Sequence, residues 1–329
     1  MSAEHITEEE AALYDRQLRL WGVAAQNRMR AASVLVYNFR GTSAEVVKNI
    51  VLAGVGSVTL LDSHTVDVQD LGANFFLRVE DVGQKRVEAG APRARALNPR
   101  VDLYTETDDT LVDDGSFLAR FDLVVLTDVD ATTTLRVNKL TRKLGKKLYV
   151  VSSVGMDGWI FADLLEHEFV TDILKVSESG QTEKMPQKHS QPHVPFELAI
   201  KHSFIKMKAR ELKRTPDTLW AILSVFAFQQ TFPDQPVSAD AIVSAAATLL
   251  PTLSIKPGLL SRPTAERLAA TIGTEFSPSA AILGGVAGQD VLNVVGGKEQ
   301  PVRNFMLLDG QTGAANLLQL GLNGLEASA

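Results

Sequence analysis

The chain has 329 residues, with 33 Lys and Arg against 39 Asp and Glu, for a net charge of −6. That length can bury a large core in one domain or two, and that balance gives no general reason to bind nucleic acid or an anionic membrane. There is no cysteine, which excludes structural disulfides, thiolate zinc sites, iron–sulfur ligation and a catalytic thiol.

No apolar run approaches the ~18 residues of a membrane span, and the opening MSAEHITEEEAA is acidic rather than signal-like. A soluble, intracellular protein is expected. The six histidines (His5, His64, His167, His189, His193 and His202) are scattered. His189 and His193 stand four apart, but in a Pro/Gln/Ser-rich stretch with no third ligand type nearby. They read as part of a solvated loop, and no metal site is expected.

In chain order, Arg16–Ala32 is helical in its second half, with Val23 and Met29 at helical spacing. A βαβ unit follows: an apolar strand at Val34–Tyr37, a tight turn, an amphipathic helix near Thr42–Ala53, and a strand at Val58–Leu61 ending on Asp62. The stretch from Asp70 to Pro99 reads as a loop and a helix stopped by Asn98-Pro99. RVDLYTE is a short strand and Thr110–Leu118 a helix. Phe121–Asp128 is a buried strand, Thr132–Leu144 a helix, KKLYVVSSVG a strand, and GWIFADLLEHEF continues extended.

This alternation predicts an α/β fold, a Rossmann-like doubly wound sheet with right-handed crossovers. The pattern fails over Val170–Pro195, where Ser, Gln, Lys, Glu, Pro and His dominate, and a flexible linker or surface loop is expected. Helices are then expected at Pro195–Lys213, Pro216–Gln230, Ser238–Leu250 and Arg262–Gly273. A glycine-bearing apolar helix, SPSAAILGGVAGQDVLNVVGG, follows, and a pair of strands around Asp309-Gly310 closes the chain. The expected division is a first adenylation-type part at 1–169, a linker and helical insertion at 170–275, and a completing helix and strands at 276–329. No internal repeat is present.

The turn Asn38-Phe39-Arg40-Gly41-Thr42-Ser43 carries one glycine where a dinucleotide fingerprint carries three. Phe39 and Arg40 bring side chains to a place where phosphate would lie against bare backbone N–H groups. Asp62 stands where an acid could hold a ribose, although an acid at a strand end also serves plain turns. The reading is a retained fold with a degraded nucleotide site. A nicotinamide-dependent dehydrogenase inherits the same weakness.

The residues YDRQLRLWG (Tyr14–Gly22), with KNIVLAGVGSVTLLD, GANFFLRVEDVGQKRVEA, GWIFADLLEHEFV and FMLLDGQTG, resemble the MoeB/ThiF-like adenylating fold of ubiquitin-like protein activating enzymes. Within it the chain resembles the smaller, non-catalytic subunits of SUMO-activating enzymes, from about Thr7 to Leu320. The resemblance implies a nuclear heterodimer in which a catalytic subunit holds ATP and Mg, adenylates the SUMO C-terminus and passes it to a cysteine as a thioester. This chain is then expected to bind no cofactor alone, nor nucleic acid or membrane.

Departures from the active pattern agree with that role. Asn74-Phe75 stand where Arg-Gln would fall, Arg86 replaces a lysine (with Lys85 beside it), and Asp128-Val129 only half matches a metal-binding T-D-N segment. The resemblance also implies that Arg16, the arginine of Y-D-R-Q, crosses to the partner's ATP phosphates in the manner of an arginine finger. The bland alternative pairs Arg16 with Asp15 or caps its own helix. Arg19 reads as an interface or structural cation and Trp21 as a packing anchor.

The basic run Lys206–Arg214 reads as a solvated helix face before an import signal. The helix bearing Gly284, Gly285 and Gly288 is expected to pack on the sheet. Two other functions stay open: the regulatory subunit for the cullin-modifying ubiquitin-like protein, and a self-sufficient nucleotide-using Rossmann enzyme.

Overall fold

Residues 7–176, 182–256 and 258–322 are described by the structure, a computed structural model. Short apolar runs flanked by amphipathic helices build one sheet. Its strands are β1 (Ser33–Tyr37), β2 (Ser57–Leu61), β3 (Asp102–Glu106), β4 (Leu123–Thr127), β5 (Lys147–Val154), β6 (Asp157–Asp163), β9 (Phe305–Asp309) and β10 (Ala314–Leu318). Their order is β10-β9-β6-β5-β4-β1-β2-β3. The pairs among β3, β2, β1, β4 and β5 are parallel, whereas β6, β9 and β10 join antiparallel. The doubly wound α/β sheet expected from the sequence is therefore present.

Each face carries its own core. One contains Leu35, Val124, Trp159 and Phe305 under the helices Ala131–Lys143, Asp217–Thr231, Ala239–Thr252 and Arg262–Thr271. The other contains Val34, Val36, Ile50 and Val125 under the helices Gly41–Leu52, Arg86–Leu97 and Ser277–Gly296. Burial of such side chains, at about 25 cal/mol per Å² of apolar surface, is the main force holding the layers together.

Ser277–Gly296 does more than pack on the sheet. A Cβ at Gly284 would lie 2.5 Å from the Thr42 carbonyl oxygen, and one at Gly288 would lie 2.9 Å from Asn49 Cβ. Two of the three glycines thus let this helix approach Gly41–Leu52 closely, while Gly285 faces open space.

Val170–Pro195 differs from the expected linker. Two strands, β7 (Glu166–Val176) and β8 (Thr182–Pro192), form an antiparallel ribbon in register from Glu166↔Pro192 to Val176↔Thr182; positions 177–181 of the expected linker lie outside the described residues. The ribbon buries a face only at its base, at His167, Phe169 and Gln191, while Met185–Lys188 are all exposed, too short a buried stretch to impose a long apolar alternation. The helix expected at Pro195–Lys213 is broken into Phe196–Ala199, a 3₁₀ turn at Phe204–Lys206, and Ala209–Arg214, whose basic residues are exposed. Thr110–Leu118 is likewise a 3₁₀ turn (Asp109–Asp113) followed by one helical turn (Gly115–Leu118).

Candidate functional site

In a doubly wound sheet the ligand crevice opens at the C-terminal ends of the two central strands whose crossovers run in opposite directions, here β1 and β4. A cavity of about 560 Å³ lies there, walled by Tyr37, Asn38, Arg40, Arg86, Asp128 and Asp130 among others. Asn38 and Arg40 are the residues of the Asn38–Ser43 turn that line it. Asn38 adopts a left-handed backbone (φ 68°) and its Nδ2 donates to the Thr127 carbonyl at 2.8 Å, tying β1 to β4.

The helix Gly41–Leu52 starts directly after Arg40 of this cavity, and the N-terminal amides of such a helix are the usual phosphate position. Those amides are already taken. Gly41 N donates to Glu275 Oε2 at 2.9 Å and Thr42 N to Glu275 Oε1 at 2.8 Å, with Thr42 Oγ1 adding a bond of 3.1 Å. Glu275 comes from the segment just before Ser277–Gly296, more than 230 positions away, and its side chain is buried. Arg40 Nε lies 3.6 Å from the same carboxylate, and Arg40 Nη2 donates to the Gly273 carbonyl.

Phe39 was expected to crowd this space and does not. Its ring is fully buried on the other side of the turn, stacked 6.0 Å from Phe76 and against Gly90. Arg40 lines the cavity as expected; the occupant of the phosphate position is Glu275, which sequence reasoning missed.

Asp62 has no free oxygen for a ribose. Oδ2 accepts from Phe39 N at 2.9 Å and lies 3.4 Å from Arg86 Nη1, and Oδ1 accepts from His64 N and contacts His64 Nδ1, both at 2.8 Å. Arg86 is locked by a second bond, Nε to Asp70 Oδ2 at 2.8 Å. Lys85 turns away to the Ser63 carbonyl. Asn74 is buried, its Nδ2 donating to the Phe39 carbonyl at 3.1 Å.

Asp128 is turned toward β5, where Oδ1 accepts from Ser153 N at 2.8 Å. Its Oδ2 is buried without a hydrogen-bond partner among the described residues. Burial, and then the negative charge of Glu275, push its carboxyl well above the usual carboxylate range. The Tyr37 phenol is pushed up to about 12 by burial and by Asp109, Asp62 and Asp113. In the same crevice Arg40 lies close to the carboxylates of Glu275 and Asp70, and Arg86 to those of Asp70 and Asp62.

The metal-competent geometry lies elsewhere than at His189 and His193. His189 Nε2 contacts Thr171 Oγ1 at 2.8 Å, and His193 Nδ1 bonds the Ala162 carbonyl at 2.9 Å. Among the described residues, Asp62, His64 and Asp109 form one group close enough for a shared ion. Its oxygens are engaged by the protein's own donors, Asp109 accepting from Ser63 N at 2.8 Å.

The Tyr14–Gly22 segment sits apart from the crevice. Tyr14 is buried, and Asn98 Nδ2 donates to its hydroxyl at 2.8 Å while also bonding the Val51 carbonyl. Trp21 packs against the second core. Asp15 pairs with Arg19, Nη2 to Oδ2 at 3.0 Å, and Arg16 makes no hydrogen bond or ion pair among the described residues. Arg16 is exposed between Leu13 and Leu20, which are 59% and 74% exposed.

The sequence pattern of the ThiF family matches residues 14–322. The chain belongs to the ThiF family. This ThiF-family chain is 34% identical over 339 residues to the DNA damage tolerance protein RHC31 of Saccharomyces cerevisiae, covering 95% of this chain and 97% of that protein. It is 34% identical over 329 residues to SUMO-activating enzyme subunit 1 of Xenopus laevis, covering 93% and 94%. The solved structure of PaaA superposes with a TM-score of 0.57 at 14% identity, over 96% of this chain and 75% of that one, a likeness of fold alone.

Proposed function

We propose that this ThiF-family chain is the regulatory subunit of a SUMO-activating enzyme. It works with a catalytic subunit that holds ATP and Mg, adenylates the SUMO C-terminus and carries the thioester cysteine. The observation that carries the reading is the Glu275 carboxylate on the amides of Gly41 and Thr42, where an active adenylating subunit needs phosphate. The absence of cysteine supports it, since no thioester can form on this chain. So does the similarity to a protein named SUMO-activating enzyme subunit 1. A nuclear location follows from the same proposal.

Its direct chemical contribution is Arg16 in trans. An exposed guanidinium without a partner among the described residues, carried on a segment anchored by Tyr14 and flanked by exposed Leu13 and Leu20, is suited to reach into a neighbouring subunit. A planar, permanently charged fork there stabilises charge on pyrophosphate as it leaves.

SUMO-dependent ATP–pyrophosphate exchange tests this with the chain alone, with the catalytic subunit, and with Arg16→Ala in the complex. No exchange alone, exchange together, and a loss on the order of 10–10³-fold for Arg16→Ala with unchanged co-elution are expected. That loss is below the ~10³–10⁵ of an arginine finger at a γ-phosphoryl group. Exchange by the isolated chain would sink the reading, and full activity of Arg16→Ala would reduce the subunit to a scaffold.

A further inference from the structure

At the opposite end of the strands from the crevice, where β4 and β5 begin, a cavity of about 750 Å³ opens beneath the β7–β8 ribbon. A second, of about 440 Å³, shares Arg28, Lys147, Val294 and Val295 as walls. Lys147 stands between them, half-buried at the first position of β5. It forms no ion pair among the described residues, and its hydrogen bond is to His167 Nδ1 at 3.1 Å.

His167 is 2% exposed. Because Lys147 donates to Nδ1, the ring hydrogen of the neutral imidazole sits on Nε2. That nitrogen is buried with no partner among the described residues. The wall of the cleft thus holds an ammonium and an imidazole N–H, all donors, and among the described residues no carboxylate oxygen accepts from either. Burial holds the Lys147 ammonium below its ordinary pKa, and burial with the Lys147 charge holds His167 down to about 3. Leaving a part-buried cation uncompensated is costly.

Three carboxylates line the two cavities, and Asp122 acts on the Lys147 charge from a distance, but none is bonded to the pair among the described residues. Glu166 accepts from Ser190 Oγ, Glu168 is exposed, and Asp122 Oδ2 accepts from Ser33 N and Oγ. Arg28 is committed to the Gly296 carbonyl. Lys146 and Lys188 add two more cations without ion pairs among the described residues, one in each cavity. Val294 and Val295 give both cavities an apolar floor.

We propose that this cleft binds a carboxylate-bearing segment of a partner protein, with Lys147 as the anchoring cation and Val294 and Val295 receiving the segment's apolar side chains. A single small anion satisfies Lys147 but leaves the apolar floor and the second cavity unused; an extended acidic–apolar segment across Lys147 fills both. The proposal is independent of the Arg16 reading, since it concerns another face of the chain.

Fluorescence anisotropy of the full chain with a fluorescein-labelled peptide of alternating Glu and Val, against its Gln/Val counterpart, tests it. Saturable binding of the Glu peptide alone is expected. Lys147→Gln should weaken it at least about tenfold, as for loss of a charged hydrogen bond. Lys147→Arg should retain it, and Lys201→Gln, at a lysine paired with Glu197 outside the cleft, should leave it unchanged. Lys188→Gln, at an exposed residue, carries the test if Lys147→Gln fails to fold, with a weakening of a few fold expected. Equal binding of the two peptides, or an unchanged affinity in Lys147→Gln or in its substitute, overturns the proposal. So does inorganic phosphate binding as tightly as the Glu peptide and displacing it completely, which leaves a small-anion site only.

Discussion

Glu275 and Thr42 are joined by two hydrogen bonds, from the backbone N at 2.8 Å and from Oγ1 at 3.1 Å, to one carboxylate oxygen. The other oxygen takes Gly41 N. Glu275→Ala is expected to lower stability by about 1–3 kcal/mol, the cost of stripping a buried helix terminus of its acceptor. The urea midpoint checks it, with the m-value unchanged.

Asp128 faces the same carboxylate. Its folded-state pKa is raised by burial and by Glu275, so the folded state holds a proton that the unfolded chain releases. Stability is therefore lost as pH rises from the ordinary carboxylate range toward the folded-state value. Asp128→Asn keeps the acceptor for Ser153 N and offers Glu275 a permanent N–H donor. It should match the wild type near pH 4 and exceed it near pH 8 in urea unfolding.

His193 has the opposite sign. Burial lowers its pKa to about 4, outweighing the bond to the Ala162 carbonyl that raises it. The unfolded chain then binds the extra proton first, and stability is lost as pH falls from about 6.5 toward 4. His193→Gln should flatten this part of the pH profile, measured by thermal unfolding at fixed ionic strength.

Gly54 supports the Arg16 segment at a distance. Its φ is +79°, and a Cβ there would lie 2.4 Å from the Tyr14 hydroxyl. Gly54→Ala should cost about 1–3 kcal/mol. It should also lower SUMO-dependent exchange in the complex while leaving the chain folded, because Tyr14 must move and Arg16 moves with it. Circular dichroism and the exchange assay together separate the two effects.

The βαβ unit was legible because Val34–Val36 and Val58–Leu61 carry short buried runs on either side of an amphipathic helix, a purely local signal. The eroded glycine turn was legible for the same reason. Glu275 was not. An acid just ahead of a helix looks like a complement to that helix's own dipole, and nothing nearby in sequence shows that its oxygens serve Gly41 and Thr42. Phe39 shows the converse error: the right residue was flagged, but the direction of its ring is set by Phe76 and Gly90, which are distant in the chain. The ribbon of β7 and β8 escaped because only its base is buried, at His167, Phe169 and Gln191, and Met185–Lys188 further out are exposed.

The occupant of the crevice is tethered. A ligand held by mass action leaves when its concentration falls, and a fold that depends on it then loosens. A carboxylate built into the chain does not depend on any free concentration. A chain completed in this way keeps the start of its Gly41–Leu52 helix capped whatever the ligand supply.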